Sequence, residues 1–252
     1  MDTDPPADPI AAPGDRLGDR ADDMLVGASR VNALAGREST YDDRDRALLR
    51  MSAATREVIA EQLSTTAEES VIEDAAELVE RALALLAERP HGRQYEGRAE
   101  GSLRDANSSV DHSPFVGGMN PLAPPIRIRV VEDRVIGTVV YGPPYEGPPG
   151  CVHGGFIAAG FDEVLGFVQA LNRSPGMTGQ LDVSYRSPTP LWRELRYEGW
   201  VVRVDGRKIY TAATLSHGDT LCAEATGLFI SMKPEVFNRL LSSRIDAPGS
   251  DS

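Results

Sequence analysis

Cysteine is scarce in this sequence, and so are long apolar runs. The two cysteines, Cys151 and Cys222, belong to no CxxC or Cys/His cluster, so neither a disulfide framework nor a structural zinc site is indicated. No stretch reaches 18 consecutive apolar residues, and the N-terminal MDTDPPADPI lacks the positive charge and apolar run of a signal peptide. These absences predict a cytoplasmic protein that is neither exported nor membrane-spanning.

Positive charge is also in short supply, with 26 Lys and Arg against 38 Asp and Glu and a formal net charge of −12. Nucleic-acid binding depends on clustered positive charge that displaces counterions, so a nucleic-acid partner is not expected. The sequence also lacks GxSxG, GxxxxGK[ST] and a GxGxxG that follows a strand. The sequence therefore indicates neither a serine hydrolase with a GxSxG nucleophile nor a nucleotide-binding site. No metal or redox cofactor is expected.

The first half of the chain divides into a tail and a helical extension. Residues 1–42 are acidic and rich in proline without sustained periodicity, which predicts a disordered tail. Residues 43–110 contain two runs of good helix formers followed by a linker. Thr66 and Glu69 have the spacing of a capping box for the second helix, whose apolar residues recur at helical spacing: Ile72, Ala75, Val79, Leu83 and Leu86. Such stripes need a partner, either the downstream domain or a second copy of the chain.

From residue 111 the pattern changes to strands. PIRIRVV and VIGTVVY have the alternation of half-buried strands and can pair through a Glu132-Asp133 turn. LRYEGWVVRV and RKIYTAATLS are joined by Asp205-Gly206, a strong hairpin signal, and HGD leads into the final strand TLCAEATGLFISM. Between these groups, the apolar segment 154–171 is too long for a typical strand and predicts a buried helix. The class is therefore α+β, with a curved antiparallel sheet wrapped around one long helix.

The entrance of this helix carries the candidate chemistry. His153-Gly154-Gly155 places glycines where backbone N–H groups are free, which suits a carbonyl oxygen that becomes negative, although a simple glycine-rich helix entry has the same pattern. Asp162 and Glu163 lie further along and point about 100° apart. Asp162 shares its face with small residues and is the candidate acid, either in a structural hydrogen bond or in catalysis. Glu163 is expected to meet solvent or a neighbouring strand.

Four segments together resemble one family: GPPGCVHGGFIAAGFDEVLG, TGQLDVSYRSPTPL, DGRKIYTA and CAEATGLFISM. They are similar to the hotdog-fold thioesterases, specifically the phenylacetic-acid-type (PaaI-like) acyl-CoA thioesterases and their animal relatives. The similarity includes His-Gly-Gly, an acid nine residues after the histidine and a strand of the type Ser/Thr-x-x-Leu-x-Val-x-Tyr-x-x-Pro. It implies a hotdog domain at residues 111–234, followed by a short helix and tail at residues 235–252.

The resemblance also implies roles for individual residues. Asp162 corresponds to the catalytic acid, acting as general base or nucleophile, and Gly154 or Gly155 to the amide that polarises the thioester oxygen. His153 corresponds to a positioning residue at the substrate, and Thr178 to the residue that helps hold the attacking water. Many relatives carry Asn six residues before the histidine, where this chain has Gly147.

In this family two subunits pair their sheets edge to edge, and each site takes its acid and its amide from opposite chains. The resemblance thus implies a homodimer or homotetramer that acts on acyl-CoA in lipid metabolism and releases CoA and a carboxylic acid. A non-hydrolytic acyl-CoA-binding or regulatory protein using the same cleft is the alternative. The helices before residue 90 could also cover the acyl tunnel as a lid.

Overall fold

The computed structural model describes residues 41–88, 110–171 and 176–232. Most of the predicted N-terminal tail and linker, and the predicted short C-terminal helix, lie outside these residues. What is described comprises two N-terminal helices and a sheet packed against a third helix.

The sheet has six strands: β1 (Arg127–Val131), β2 (Arg134–Val140), β3 (Gly176–Tyr185), β4 (Glu194–Asp205), β5 (Lys208–His217) and β6 (Thr220–Ser231). All neighbours are antiparallel, and the order across the sheet is β1-β2-β4-β5-β6-β3. Because β3 follows β2 in the chain but lies at the opposite edge, the connection between them must cross the face of the sheet. The helix α3 (Gly154–Ala170) makes this crossing.

Each predicted hairpin is present, and in two of the three turns the backbone is one that the turn residues favour. Asp205 pairs with Lys208, and Gly206 between them has φ of 57°. Gly218 has φ of 54° in the turn between β5 and β6. Glu132 takes the same left-handed region at 54°, in the β1–β2 turn. Glycine enters this region without a Cβ penalty, so two of the three turns are relaxed.

The core lies between α3 and one face of the sheet. Ten of the 17 residues of α3 are buried, and they contact inward-facing side chains of β2 and β4 to β6. Two glycines allow the close approach: a Cβ at Gly199 would lie 2.7 Å from Val168 Cγ2, and one at Gly160 would lie 2.3 Å from Tyr197 Oη. The predicted α+β architecture, with one buried helix against the sheet, is confirmed.

The two N-terminal helices are α1 (Asp43–Ser64) and α2 (Glu69–Ala87). Asp42 and Asp45 form a capping box at the start of α1. The predicted box at Thr66 is wrong, because the N-cap of α2 is Glu68, which makes no side-chain cap bond. The backbone of Glu68 is extended, with ψ of 155°, so the helix begins only at Glu69. Thr66 is therefore too far upstream to cap it.

Helix α1 packs on the segment 110–123, which precedes β1. Ser52 Oγ donates to Met119 O at 2.8 Å, and Arg56 donates to Asn120 O at 2.9 Å. Tyr41 Oη, just before the helix, donates to the buried Asp111 at 2.9 Å. Of the two partners predicted for the helices, α1 has the downstream domain. Helix α2, in contrast, has no buried residue.

Candidate active site

Asp162 and Thr178 meet where α3 faces the edge strand β3. Thr178 Oγ1 donates a hydrogen bond of 2.7 Å to Asp162 Oδ1. Asp162 is half-buried, and Thr178 is exposed. Two residues that are sixteen positions apart in the sequence therefore form one polar pair at an accessible edge of the sheet.

A β-bulge aims Thr178 at the helix. Thr178 pairs with Phe229 and Gln180 with Leu228, so Gly179 is an additional residue in β3. Phe229 is buried in the core, whereas Leu228 lies on the other face of β6. Without the bulge, residues 178 and 180 would share a face, as alternate residues of a strand do. Sequence reasoning missed this bulge, although a glycine inside a strand pattern is its usual signal.

Glu163 is placed differently from the expectation. Its Oε1 accepts a hydrogen bond from Ser113 Oγ at 3.1 Å, and Ser113, which is 1% exposed, also accepts from the backbone N–H groups of Phe115 and Val116. Glu163 thus binds the loop before β1, rather than only solvent or a neighbouring strand. The cause is the folding of that distant segment over α3, which no local pattern around Glu163 reveals.

His153 is the N-cap residue of α3. Its Nδ1 accepts a hydrogen bond from the N–H of Gly155 at 3.0 Å. Because Nδ1 accepts, the ring proton in this arrangement is on Nε2, on a side chain that is exposed. The N–H of Gly155 is consequently occupied by the protein itself.

The peptide that joins Gly154 and Gly155 is held at both ends. Tyr185 Oη, from the end of β3, donates to Gly154 O at 2.8 Å, while His153 binds the N–H of the same peptide plane. The carbonyl of His153 accepts from Phe156 N and Ile157 N. Among the described residues, no acceptor is found for the N–H of Gly154. This helix entrance therefore presents a fixed and unoccupied backbone donor.

The donor and the acid of one chain are far apart. Gly154 and Asp162 are eight residues apart on the same helix, which corresponds to about 12 Å along its axis. A reacting carbonyl must lie about 3 Å from both its nucleophile and its oxyanion donor. One chain accordingly carries the two halves of a site at separate places.

Gly147 lies tightly against the helix entrance. A Cβ at this position would be 2.7 Å from His153 Cα, and the neighbouring backbone is fixed by the bond from His153 N to Tyr145 O at 2.8 Å. This backbone leaves no room for a side chain at residue 147. The local packing therefore fits the glycine of this chain and not the asparagine that the family resemblance implies.

Two tyrosines contact each other behind the site. Tyr141 Oη and Tyr197 Oη are 3.1 Å apart, and both side chains are fully buried next to Gly160. Burial raises the pKa of both phenols above the ordinary value. They form a neutral polar contact in the core under α3.

Residues 41–88, 110–171 and 176–232 contain no group of three or more His, Cys, Asp or Glu side chains that could hold a metal ion. In the same part of the chain, no helix has both the length and the apolar character needed to cross a membrane.

Comparison with known proteins identifies the family. No family model matches the sequence. A crystal structure described as a thioesterase superfamily protein is 36% identical, with a TM-score of 0.62, and the match covers 73% of this chain and 94% of that one. The chain belongs to the thioesterase superfamily. The predicted hotdog thioesterase fold is thereby confirmed. Residues 110–232 make up 123 of the 252 residues, which is less than the 73% of this chain that the match covers, so the match extends beyond that segment.

Curated proteins that are similar to this chain carry a more specific name. Acyl-coenzyme A thioesterase THEM4 of Mus musculus is 36% identical over 107 residues, which are 42% of this chain and 46% of the relative. The Xenopus laevis protein of the same name is 37% identical over 105 residues, or 41% and 47% of the two chains. The chain spans about half the length of the curated relatives it matches.

Proposed function

We propose that the protein is an acyl-CoA thioesterase, which hydrolyses the thioester to free CoA and a carboxylic acid. The observation that carries this proposal is the hydrogen bond between Thr178 and Asp162 beside a helix whose first amide has no partner in the described residues. Membership of the thioesterase superfamily supports it, as does the similarity to proteins named acyl-CoA thioesterase.

In the proposed reaction, Asp162 is the base and Thr178 positions the water. The Thr178 hydroxyl donates to Asp162 and can still accept a hydrogen bond, so the pair can hold a water molecule between them. Asp162 takes a proton from this water as the water oxygen bonds to the thioester carbon. The C–S bond then breaks, and the CoA sulfur leaves and becomes a thiol with that proton.

The N–H of Gly154 is the proposed donor to the oxygen that becomes negative. It is preferred over Gly155, because the Gly155 N–H already donates to His153. A fixed backbone donor aimed at developing charge lowers the barrier without reorganising during the reaction. His153 and Gly155 contribute to substrate binding by shaping the helix entrance where the thioester lies.

Direct attack by Asp162 on the thioester carbon is the other mechanism open to this geometry. As the Asp162 oxygen bonds to the acyl carbon, the C–S bond breaks and CoA leaves as a thiolate that takes a proton from water. The resulting mixed anhydride between Asp162 and the acyl group is then hydrolysed by water. The two routes differ in whether the protein carries the acyl group. Rapid quenching followed by intact-protein mass spectrometry distinguishes them, since only direct attack adds the mass of the acyl group to the chain.

A second subunit is required to complete this site. Strand β3 is an edge of the sheet, and unpaired edge strands are ready to pair with another chain. It carries Thr178 beside Asp162 near one end and Tyr185 beside Gly154 at the other. Antiparallel pairing of β3 with its copy places each Thr178 end opposite the partner's Tyr185 end. The acid of one chain then lies near the amide of the other, in a homodimer or homotetramer.

The test is release of free thiol from a panel of acyl-CoAs, from short to long chain and including phenylacetyl-CoA. Wild type is compared with Asp162→Asn and with Asp182→Asn. The second variant alters an exposed carboxylate on the same strand, which accepts a hydrogen bond from Gln180 in the described part of the chain. Thiol release that is lost only in Asp162→Asn supports the proposal. Absence of release by the folded wild type refutes it and favours the non-hydrolytic acyl-CoA-binding alternative.

A cytoplasmic location and a role in lipid metabolism are further parts of the proposal.

A further inference from the structure

Helix α2 has a seven-residue repeat that the proposed function does not use. Its sequence divides into VIEDAAE, LVERALA and LLA, in which the same kinds of residue recur at the same positions. With Ile72 as position a, the a positions hold Ile72, Val79 and Leu86, and the d positions hold Ala75 and Ala82. An apolar repeat of seven residues is the pattern by which one helix packs lengthwise against another.

No part of the described protein covers this face. Every residue of α2 is exposed, and its seven large apolar side chains are between 48% and 65% exposed: Val71, Ile72, Leu78, Val79, Leu83, Leu85 and Leu86. These side chains form one continuous stripe, because the positions next to a and d on the helix are apolar as well. Continuous apolar surface of this kind is a feature of interaction sites rather than of isolated surfaces. We call it the α2 stripe.

The sizes of the side chains in the α2 stripe fit a second copy of the same helix. Along the seam, large and small residues alternate in the order Ile72, Ala75, Val79, Ala82, Leu86. When two such helices run antiparallel, each a position faces a d position of its partner, so a large side chain meets an alanine in every layer. A parallel pair in register would instead place alanine against alanine and leave gaps.

The charges on α2 favour the same arrangement. Its five acids all lie in its first 12 residues: Glu69, Glu73, Asp74, Glu77 and Glu80. Residues 81–87 contain one cation, Arg81, and no acid. An antiparallel partner places the acidic part of one helix beside the C-terminal part of the other, and it also opposes the two helix dipoles. Parallel pairing would set the acids side by side. The net charge of −4 over α2 also opposes docking on an anionic membrane surface.

We infer that the α2 stripe is a self-association surface, and that it pairs antiparallel with the α2 stripe of a second copy of this chain, with Val79 of each chain facing Ala82 of the other. This contact is separate from the β3 edge. It either links two dimers or joins the two chains of one dimer a second time. In both cases Ala82 lies in the contact, and Ala84, at position f, lies on the opposite side of the helix.

The experiment is cross-linking of variants of the full chain that carry one exposed cysteine each, with Cys222 left buried in the fold. Ala82→Cys and Ala84→Cys are prepared in a Cys151→Ser background, because Cys151 is half-buried and could react, whereas Cys222 is buried. Each is treated with a short bismaleimide at low protein concentration and examined on a denaturing gel. Both positions are exposed alanines of the same helix, so they are matched in every respect except the face they occupy.

The expected result is a covalent dimer from Ala82→Cys and at least tenfold less of it from Ala84→Cys. Adding Val79→Glu to Ala82→Cys should abolish the cross-link, since it places a charge in the seam. Equal cross-linking of the two variants, no cross-linking of either, or a cross-link that survives Val79→Glu would each overturn the inference. Thiol release by the same variants is recorded separately, so a loss of acyl-CoA hydrolysis cannot be mistaken for a loss of pairing.

Discussion

Tyr185→Phe is the substitution that most directly tests the proposed role of the helix entrance. It removes only the hydroxyl that donates to Gly154 O at 2.8 Å and leaves the ring beside Gly154. The Gly154–Gly155 peptide is then held by His153 alone. Greater freedom of this peptide should misdirect the neighbouring Gly154 N–H, which is the proposed oxyanion donor.

The magnitude follows from the hydrogen bond and its exposure. A neutral hydrogen bond contributes about 0.5–1.5 kcal/mol net. Tyr185 is 53% exposed, so water can partly replace the lost donor, and the lower part of this range applies. We expect kcat to fall by about 2- to 5-fold, since 1.4 kcal/mol corresponds to a tenfold change in rate, with little change in KM.

The assay is steady-state thiol release, with kcat and KM determined separately for wild type, Tyr185→Phe and Tyr210→Phe. Tyr210→Phe is the matched control, because that residue lies on the outer face of β5 with Arg203 over its ring. Thermal unfolding of both variants checks that the fold is unchanged. The reasoning is refuted if kcat of Tyr185→Phe equals that of Tyr210→Phe. It is equally refuted if only KM changes, which would make Tyr185 a substrate contact.

Three further predictions concern the acid, the core and alkaline pH. Asp162→Asn should lower kcat by about 100-fold or more, the usual contribution of a general base, and a comparable loss in Asp182→Asn would contradict the assignment. Gly160→Ala should destabilise the protein by about 1–3 kcal/mol in urea unfolding, because its Cβ would lie 2.3 Å from Tyr197 Oη; an unchanged midpoint would show that the tyrosine moves freely. Burial raises the pKa of Tyr141 and Tyr197 above 10. The stability that these neutral phenols contribute is therefore complete below about pH 10. It is lost as the pH rises above 10, because the unfolded chain then releases these protons while the folded protein still holds them. The free energy of unfolding should then fall with pH by up to about 1.4 kcal/mol per unit for each phenol, and Tyr141→Phe/Tyr197→Phe should flatten this slope; an equal slope in the double variant would disprove the cause.

Much of the hotdog domain could be predicted from the sequence, because its local patterns agree with its long-range contacts. Asp205-Gly206 marks a hairpin, since glycine takes the required positive φ, and the structure has that turn. The apolar segment after His153 is long and largely uninterrupted by charge, and it is the buried helix. Period-two alternation identifies strands wherever one face is buried and the other is not.

Two features of the N-terminal helices could not be predicted from local sequence patterns: the residue that caps α2 and the surface that its apolar stripe contacts. Thr66 and Glu69 have the correct spacing for a capping box, but the backbone of Glu68 is extended, so the N-cap of α2 lies two residues later than predicted. The stripe on α2 correctly indicates a helix, yet periodicity alone cannot specify what the stripe packs against. The described part of the chain supplies no partner for it.

The sequence by itself determined which residues could take part in a site: an acid on a small-residue helix face, two glycines after a histidine, and a threonine in a strand. Only the tertiary structure decided how they combine. The bulge at Gly179 turns Thr178 toward Asp162, and His153 occupies the amide of Gly155 and leaves that of Gly154. The segment before β1 binds Glu163 and distinguishes it from its neighbour. Composition and periodicity indicate the environment of each residue along its own helix or strand. Hydrogen-bond partners depend instead on how distant segments meet, and the packing of the fold decides where they meet.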